Sequence, residues 1–491
     1  MTTTRPTLEE ARTLAAGYSL VPVSRELFSD AITPIEALAA IRSAGAECFL
    51  LESAPGGDNW SRWTFIGYSP TLTVTGDAEG IAISRADGAS NRKLGDTHAL
   101  LRALTASYRS PRLDRLPPFT GGFVGYFSYE YLCRVEPSLK LSAADDVGYD
   151  DFRLMLFDKV IAFDSFRQKL VLIANAPADG SDESYYAAVA ALDEMERVLF
   201  AERGSLPPPK SGVLGGFTAT KTREEFVRAV ETAKRHIFEG DIFQCVPSVR
   251  FSAPYGGDLF DAYRVLRTVN PSAYMFYVRF ADLQLAGASP ETLVSLKDGV
   301  ATTYPLAGTC PRTDDDAETD ALIEKLLSDE KELSEHDMLV DLGRNDLGRV
   351  CKFGTVKTSE YRTVKKLSHV CHIASKVTGR VRDDVLAPDV LAAALPAGTL
   401  SGAPKKRACE IVDALEGVRR GAYGGAVGYF DFAGNMDFCI GIRMAVLKAG
   451  RVYVQAGAGI VADSVPDREY DECVRKAEAM MNALTLGGAT S

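Results

Sequence analysis

Two pairs of glutamates carry the first chemical signal. Glu332 and Glu335 stand three apart in the run from Ser328 to His336, and Glu469 and Glu472 repeat that spacing after Ser464-Val465-Pro466-Asp467. Both stretches open with helix-start residues, and on a helix positions three apart share a face. Each helix would present two carboxylates, hard oxygen donors of the kind that suit Mg²⁺. The same spacing describes an ordinary solvated helix face, so it leaves both readings open. His369 and His372 flank Cys371 and suggest zinc, but Val370, Ile373 and Val377 read as a strand, where residues three apart point to opposite faces.

Two glycine-rich segments add backbone donors. Gly457 to Ala462 matches the dinucleotide pattern G-x-G-x-x-A behind the strand-like run Val452 to Gln455, yet no strand-end acid follows at the required distance. Gly398 to Lys405 reads G-x-x-x-G-x-x-K, which is not a P-loop. What both offer is exposed N–H groups able to grip a small carboxylate.

The elements that must position these groups are legible in outline. Apolar residues recur at Tyr470, Cys473, Val474, Ala477, Met481 and Leu484, a helical stripe beside Glu469 and Glu472. Tyr185 to Phe200 is a second amphipathic run, and Ile35 to Ile41 belongs to a short helix. Residues 151–175 alternate around a turn at 163–168, and residues 426–432 and 438–447 form another hairpin-like pair. Such pairs favour an α+β fold, a two-domain sandwich of large antiparallel sheets flanked by helices. The Pro/Gly/Ser cluster from Gly204 to Gly212 marks the boundary, giving an N-terminal domain at 1–204, a linker at 205–216 and a C-terminal domain at 217–487. G-G-F-V-G-Y-F at 121–127 is echoed by G-G-A-V-G-Y-F at 424–430, where glycines let two layers approach closely.

At 491 residues, 46% hydrophobic and 25% charged, the composition is that of a folded globular protein of more than one core. With 66 acidic and 55 basic residues the net charge is −11, which disfavours nucleic acid as a partner. No apolar run is long enough for a membrane span and no signal peptide is evident, so the expected location is the cytoplasm. Nine cysteines without C-x-x-C spacing read as reduced thiols.

A set of ordered motifs identifies a relationship. They are G-D-I-F-Q at 240–244, N-P-S-A-Y-M-F at 270–276, G-A-S-P-E at 287–291, P-L-A-G-T at 305–309, E-H-D-M-L-V-D-L-G-R-N-D at 335–346, H-I-A-S at 372–375, P-A-G-T-L-S-G-A-P-K at 396–405, R-G-A-Y-G-G at 420–425 and C-I-G-I-R at 439–443. With L-L-E-S at 50–53 and F-I-G at 65–67, the chain resembles the chorismate-binding enzymes, the anthranilate-forming large subunits in particular, over nearly its whole length. The resemblance implies their fold and their reaction: ammonia adds to chorismate at C2, the C4 hydroxyl leaves, and pyruvate is eliminated to give anthranilate.

It also implies residue roles. Glu335 and Glu472 match the family's Mg²⁺ ligands, with Glu332 and Glu469 acting through water. Arg443, Tyr423 and the N–H of Gly459 match the grip on the enolpyruvyl carboxylate, and Gln244, Ala307, Gly308, Thr309 and Gly457 complete the substrate surroundings. Glu291 matches the acid that protonates the leaving oxygen, His372 stands near C2 and C4 as the candidate base, and Thr399 orients substrate. Covalently acting aminodeoxychorismate synthases carry lysine where Ala307 stands, and water-using members carry a lysine base where Gln244 stands; with both lysines absent, ammonia is the nucleophile. The alternatives are an aminodeoxychorismate synthase and, in another class, a dinucleotide-dependent oxidoreductase built on residues 457–462.

The resemblance further implies feedback by tryptophan at Glu52, Ser53, Tyr274, Met275, Phe276 and Cys439, with Glu52 facing the amino group. Ala273 stands where the family motif has a second proline, and Tyr304 and Cys310 stand where arginines are common. No G-x-C-x-G glutaminase segment occurs, so a separate glutamine amidotransferase subunit is expected to deliver the ammonia.

Overall fold

The computed structural model describes residues 3–44, 47–53, 62–202, 204–313, 315–366 and 370–485. Two twelve-stranded sheets, antiparallel throughout, pack face to face. Between them lies a layer rich in aromatic side chains, among them Phe49, Phe119, Tyr126, Phe157 and Phe276. The outer face of the first sheet is covered by helices Pro34–Ala44, Asp182–Phe200, Arg223–Phe238, Phe260–Val269, Lys405–Glu416 and Pro466–Thr485. The outer face of the second carries Thr97–Ala106, Glu330–Gly348 and Ala387–Ala394. The α+β expectation holds, because strands with apolar side chains on both faces need a sheet on one side and helices on the other.

The segments on either side of residues 205–216 do not own separate sheets. Strand Cys48–Glu52 pairs with Tyr274–Arg279, setting Met275 opposite Glu52. In the second sheet Gly122–Phe127 pairs with Ala426–Asp431, setting Gly125 directly opposite Gly428. The two copies of the glycine motif are thus the neighbouring strands that join the halves. At Gly428 an added Cβ would stand 2.0 Å from the Asp437 carbonyl oxygen, a distance no side chain tolerates. Residues 205–216 themselves contain no helix or strand, only an isolated bridge from Val213 to Tyr255.

Two hairpin expectations need correction. Lys159–Asp164 and Lys169–Pro177 do pair, but Phe152–Phe157 belongs to the other sheet. Likewise residues 438–447 are not one strand. Met436–Ile440 lies in the second sheet and Met444–Lys448 in the first, and Gly441, Ile442 and Arg443 make the crossing, with Arg443 at φ +51°. The apolar alternation continues through this crossing, so nothing in the pattern reports it. Among the described residues no helix is long and apolar enough to cross a membrane.

Candidate active site

The crossing at Arg443 buries a cation. Its largely buried guanidinium has no hydrogen-bonded or ion-paired carboxylate among the described residues, and burial lowers its pKa while Tyr423 and Glu472 oppose that. A cation in that position lacks the counter-charge burial demands, so it is poised to take one from a ligand. The Tyr423 ring is buried beside it, its hydroxyl 3.0 Å from where a Cβ on Gly457 would lie. On Gly459 a Cβ would stand 2.8 Å from Gln244 Nε2, so both glycines are kept bare by close neighbours. Gln244 Nε2 in turn donates to Glu335 Oε1 at 3.3 Å.

Beneath this loop Arg420, 2% exposed, donates to both Glu416 oxygens and to the carbonyls of Leu400 and Val246. Glu416 also takes the N–H and hydroxyl of Ser248. The dinucleotide reading fails here. Strand Arg451–Gly457 is antiparallel to both its neighbours, whereas a dinucleotide fold needs a parallel crossover.

The structure brings Glu291 and Thr399 together. Thr399 Oγ1, in the short helix Gly398–Ser401, donates to Glu291 Oε1 at 3.0 Å. Burial pushes the Glu291 carboxyl up to about 7 against the pull of this hydrogen bond and of the Lys476 charge. An acid near neutrality can hold a proton for a leaving oxygen at physiological pH.

His372 lies in strand Val370–Arg380 opposite Thr309. Its Nδ1 is 2.9 Å from Thr309 Oγ1 and 3.3 Å from the Gly308 carbonyl oxygen. The carbonyl can only accept, which assigns the ring proton to Nδ1 and leaves the Nε2 lone pair free as a base. Burial and then the Arg443 charge lower its pKa, keeping the ring neutral. Gly308 sits at φ +73° where the pairing slips between Ala307 and Thr309, and Ala307 faces Ile373. His369 lies outside the described residues.

Both glutamate pairs fall on helices as expected, Glu332 and Glu335 on Glu330–Gly348 and Glu469 and Glu472 on Pro466–Thr485. Asp329 caps the first through the N–H groups of Lys331 and Glu332. The second has no such cap from Ser464, whose hydroxyl takes the Val461 N–H instead. Burial and then Glu335 raise the pKa of Glu332. Glu469 is raised by burial and Glu472 against a hydrogen bond to Ser464. Lys331 acts on both Glu332 and Glu469, so the two helices face one another. Half-buried like charges of this kind are the donor chemistry of a divalent-cation site. The four are not gathered tightly: among the described residues the group of His, Cys, Asp or Glu side chains with ligand atoms within 4.8 Å of one another is His236, Glu239 and Asp241.

The six residues assigned to regulation do not share one surface. Met275 and Glu52 face the helix side, where Arg267 clasps both oxygens of the Glu52 carboxylate and Tyr263 donates to it. Tyr274, Phe276 and Cys439 point into the layer between the sheets, and Ser53 follows Glu52 at the strand end. Asp437 accepts from the Tyr274 hydroxyl at 3.0 Å, and burial pushes its carboxyl up to about 7. The same hydroxyl lies 2.9 Å from Thr292 Oγ1.

Sequence reasoning missed Asp437 and also Lys476, which pairs with Glu472 at 2.6 Å and donates to the Gly457 carbonyl at 3.1 Å. Lys476 was findable from its position four residues after Glu472.

With this geometry in view, comparisons with known proteins agree. The profile of the chorismate binding enzymes matches residues 47–482. The chain is 42% identical over 490 residues to anthranilate synthase component 1 of Acetivibrio thermocellus, covering 98% of this chain and 99% of that protein. It is 44% identical to the Mycolicibacterium smegmatis protein of the same name, with 97% and 93% covered. The crystal structure of anthranilate synthase component I from Streptococcus pneumoniae superposes with a TM-score of 0.78 at 35% identity, covering 92% of this chain and 98% of that one.

Proposed function

The chain belongs to the family of chorismate-binding enzymes, and we propose that it converts chorismate and ammonia to anthranilate and pyruvate in the cytoplasm. The observation that carries this reading is Arg443, a largely buried cation without a hydrogen-bonded or ion-paired carboxylate among the described residues, set beside Tyr423 and the bare glycines 457 and 459. A planar carboxylate fits that fork, and chorismate carries two carboxylates.

Arg443, the Tyr423 hydroxyl and the Gly459 N–H hold the enolpyruvyl carboxylate. The four glutamates fit Mg²⁺, which Glu335 and Glu472 would hold directly and Glu332 and Glu469 through water, and which when bound supplies positive charge against the ring carboxylate. Glu291 keeps a proton for the departing C4 oxygen, and Thr399 fixes the direction of that carboxyl. His372 takes the C2 proton at Nε2 in the elimination, and burial, with the nearby Arg443 charge adding to it, lowers its pKa and favours the neutral ring beforehand. Gln244 cannot deprotonate water and Ala307 cannot attack C2, which supports ammonia as nucleophile.

Ammonia comes from a separate glutaminase subunit, in keeping with the word component in the relatives' names. Tryptophan inhibits from the layer between the sheets, around Tyr274, Phe276 and Cys439, with Asp437 facing its amino group.

The test is anthranilate fluorescence from chorismate, Mg²⁺ and an ammonium salt, repeated with glutamine in place of ammonium. Anthranilate from ammonium alone is the expected result. Chorismate consumed without anthranilate would mean another aminated or isomerised product and would overturn the reading.

A further inference from the structure

Glu291 gives up a proton in every turnover. The departing C4 hydroxyl leaves as water, and a carboxylate remains in surroundings that favour the neutral acid. The next cycle requires that proton back.

A cavity of about 50 Å³ borders Glu291 and Thr399 and is also lined by Thr303, Tyr304, Leu342 and Asp346. None of Gln244, His372, Tyr423, Arg443 or Gly459 lines it, so it extends away from the carboxylate grip. Asp346 is 8% exposed. Its Oδ2 accepts from Lys405 Nζ at 2.9 Å, whereas its Oδ1 is buried with no hydrogen-bond partner among the described residues. Asp346 and Glu291 thus border one small space whose other walls include Leu293, Leu339 and Ile440 beside the hydroxyl-bearing Thr303, Tyr304 and Thr399, and the volume takes on the order of three water molecules at about 15 Å³ each.

We propose that Asp346 positions a short chain of water in this cavity and that the chain returns a proton to Glu291 after each turnover. The proposal rests on the anthranilate-forming reading above. In the return step the O–H bond of Asp346 breaks and that of Glu291 forms, with the intervening water exchanging one proton for another. Solvent on the Lys405 side then refills Asp346, and no further reactant is needed. Burial raises the pKa of Asp346 against Lys405 and Arg349, so the carboxyl can carry a proton in passing. The other charged or titratable groups facing the path are Lys476, which acts on Glu291, and Tyr304, whose ring lies under Lys365 and Lys376. Asp346 is a positioning residue in this scheme, since it reaches substrate only through Glu291.

The test is Asp346→Asn in the full chain, assayed with ammonium. A single turnover started near pH 6, with Glu291 already protonated, should run at the wild-type rate. Steady-state kcat should fall at least about tenfold, with the chorismate KM unchanged and a larger solvent deuterium effect on kcat. Asp346→Glu should recover most of the rate. If Asp346→Asn does not fold because Lys405 is left unpaired, the neutral pair Asp346→Asn/Lys405→Gln should show the same split. Single-turnover and steady-state rates falling together, or neither falling, would overturn the relay. A wild-type protein that makes no anthranilate would instead overturn the functional reading beneath it.

Discussion

Replacing Thr399 with valine removes one hydroxyl and keeps the shape, which isolates what its hydrogen bond does to Glu291. That bond runs from Thr399 Oγ1 to Glu291 Oε1 at 3.0 Å and pulls the carboxyl down from where burial would put it. A hydrogen bond to a charged group contributes about 1.5–3 kcal/mol, and one pKa unit corresponds to about 1.36 kcal/mol. Because a hydroxyl also donates, more weakly, to the protonated acid, a rise of about one unit is the working figure. The sign follows from the role. In the proposed mechanism Glu291 acts as the protonated acid, so activity should be lost as pH climbs through its value of about 7. In Thr399→Val the basic limb should move to higher pH, while the plateau drops because the carboxyl is less well aimed. The assay is kcat/KM for anthranilate formation from about pH 6 to 9.5, with free ammonia rather than total ammonium held constant. A basic limb that stays in place or moves to lower pH would show that Thr399 does not set the acid.

Two further substitutions separate metal from substrate binding. Glu335→Gln should lose most Mg²⁺-dependent activity while the fold and its melting temperature persist, and unchanged turnover over a Mg²⁺ titration would remove Glu335 from the metal site. Arg443→Gln should raise the chorismate KM by about ten- to a hundredfold, the equivalent of roughly 1.4–2.8 kcal/mol of a charge-assisted pair. A normal KM would refute the carboxylate grip.

Helices and the glutamate pairs were legible because their signals are local: apolar period, cap residues and i,i+3 spacing all lie within one turn or two. The sheets were not, since pairing of Cys48–Glu52 with Tyr274–Arg279 spans nearly half the chain and no local pattern encodes it. A linker rich in proline and glycine therefore suggested two bodies, although both sheets are built from both halves. The split among the regulatory residues is written in the strand period. Tyr274, Met275 and Phe276 are consecutive in a strand, so at most two of them can share a face. Lys405 and Asp346 meet across 59 positions, beyond any motif. Cys310 belongs to an apolar cluster with Ile323, Leu326, Cys371 and Ile373.

The proposed tryptophan layer lies one residue from the proposed catalytic acid, and this proximity gives inhibition a physical route. The Tyr274 hydroxyl bonds Asp437 on one side and Thr292 on the other, and Thr292 follows Glu291. The Glu291 carbonyl is itself fixed by the Ile440 N–H at 3.0 Å, next to Cys439 in the same strand. An amino group seated on Asp437 competes with Tyr274 for that carboxylate, and the displaced hydroxyl would shift Thr292 and the backbone of Glu291. Inhibition by this route acts only if the ligand binds the two arrangements with different affinity, so it is reciprocal with chorismate binding. Tyr274→Phe cuts the link while leaving the layer's shape. It should bind tryptophan, measured by calorimetry, with affinity changed by no more than about tenfold, yet lose most of the inhibition of anthranilate formation. Inhibition that survives in full alongside binding would mean that the coupling does not pass through this hydroxyl.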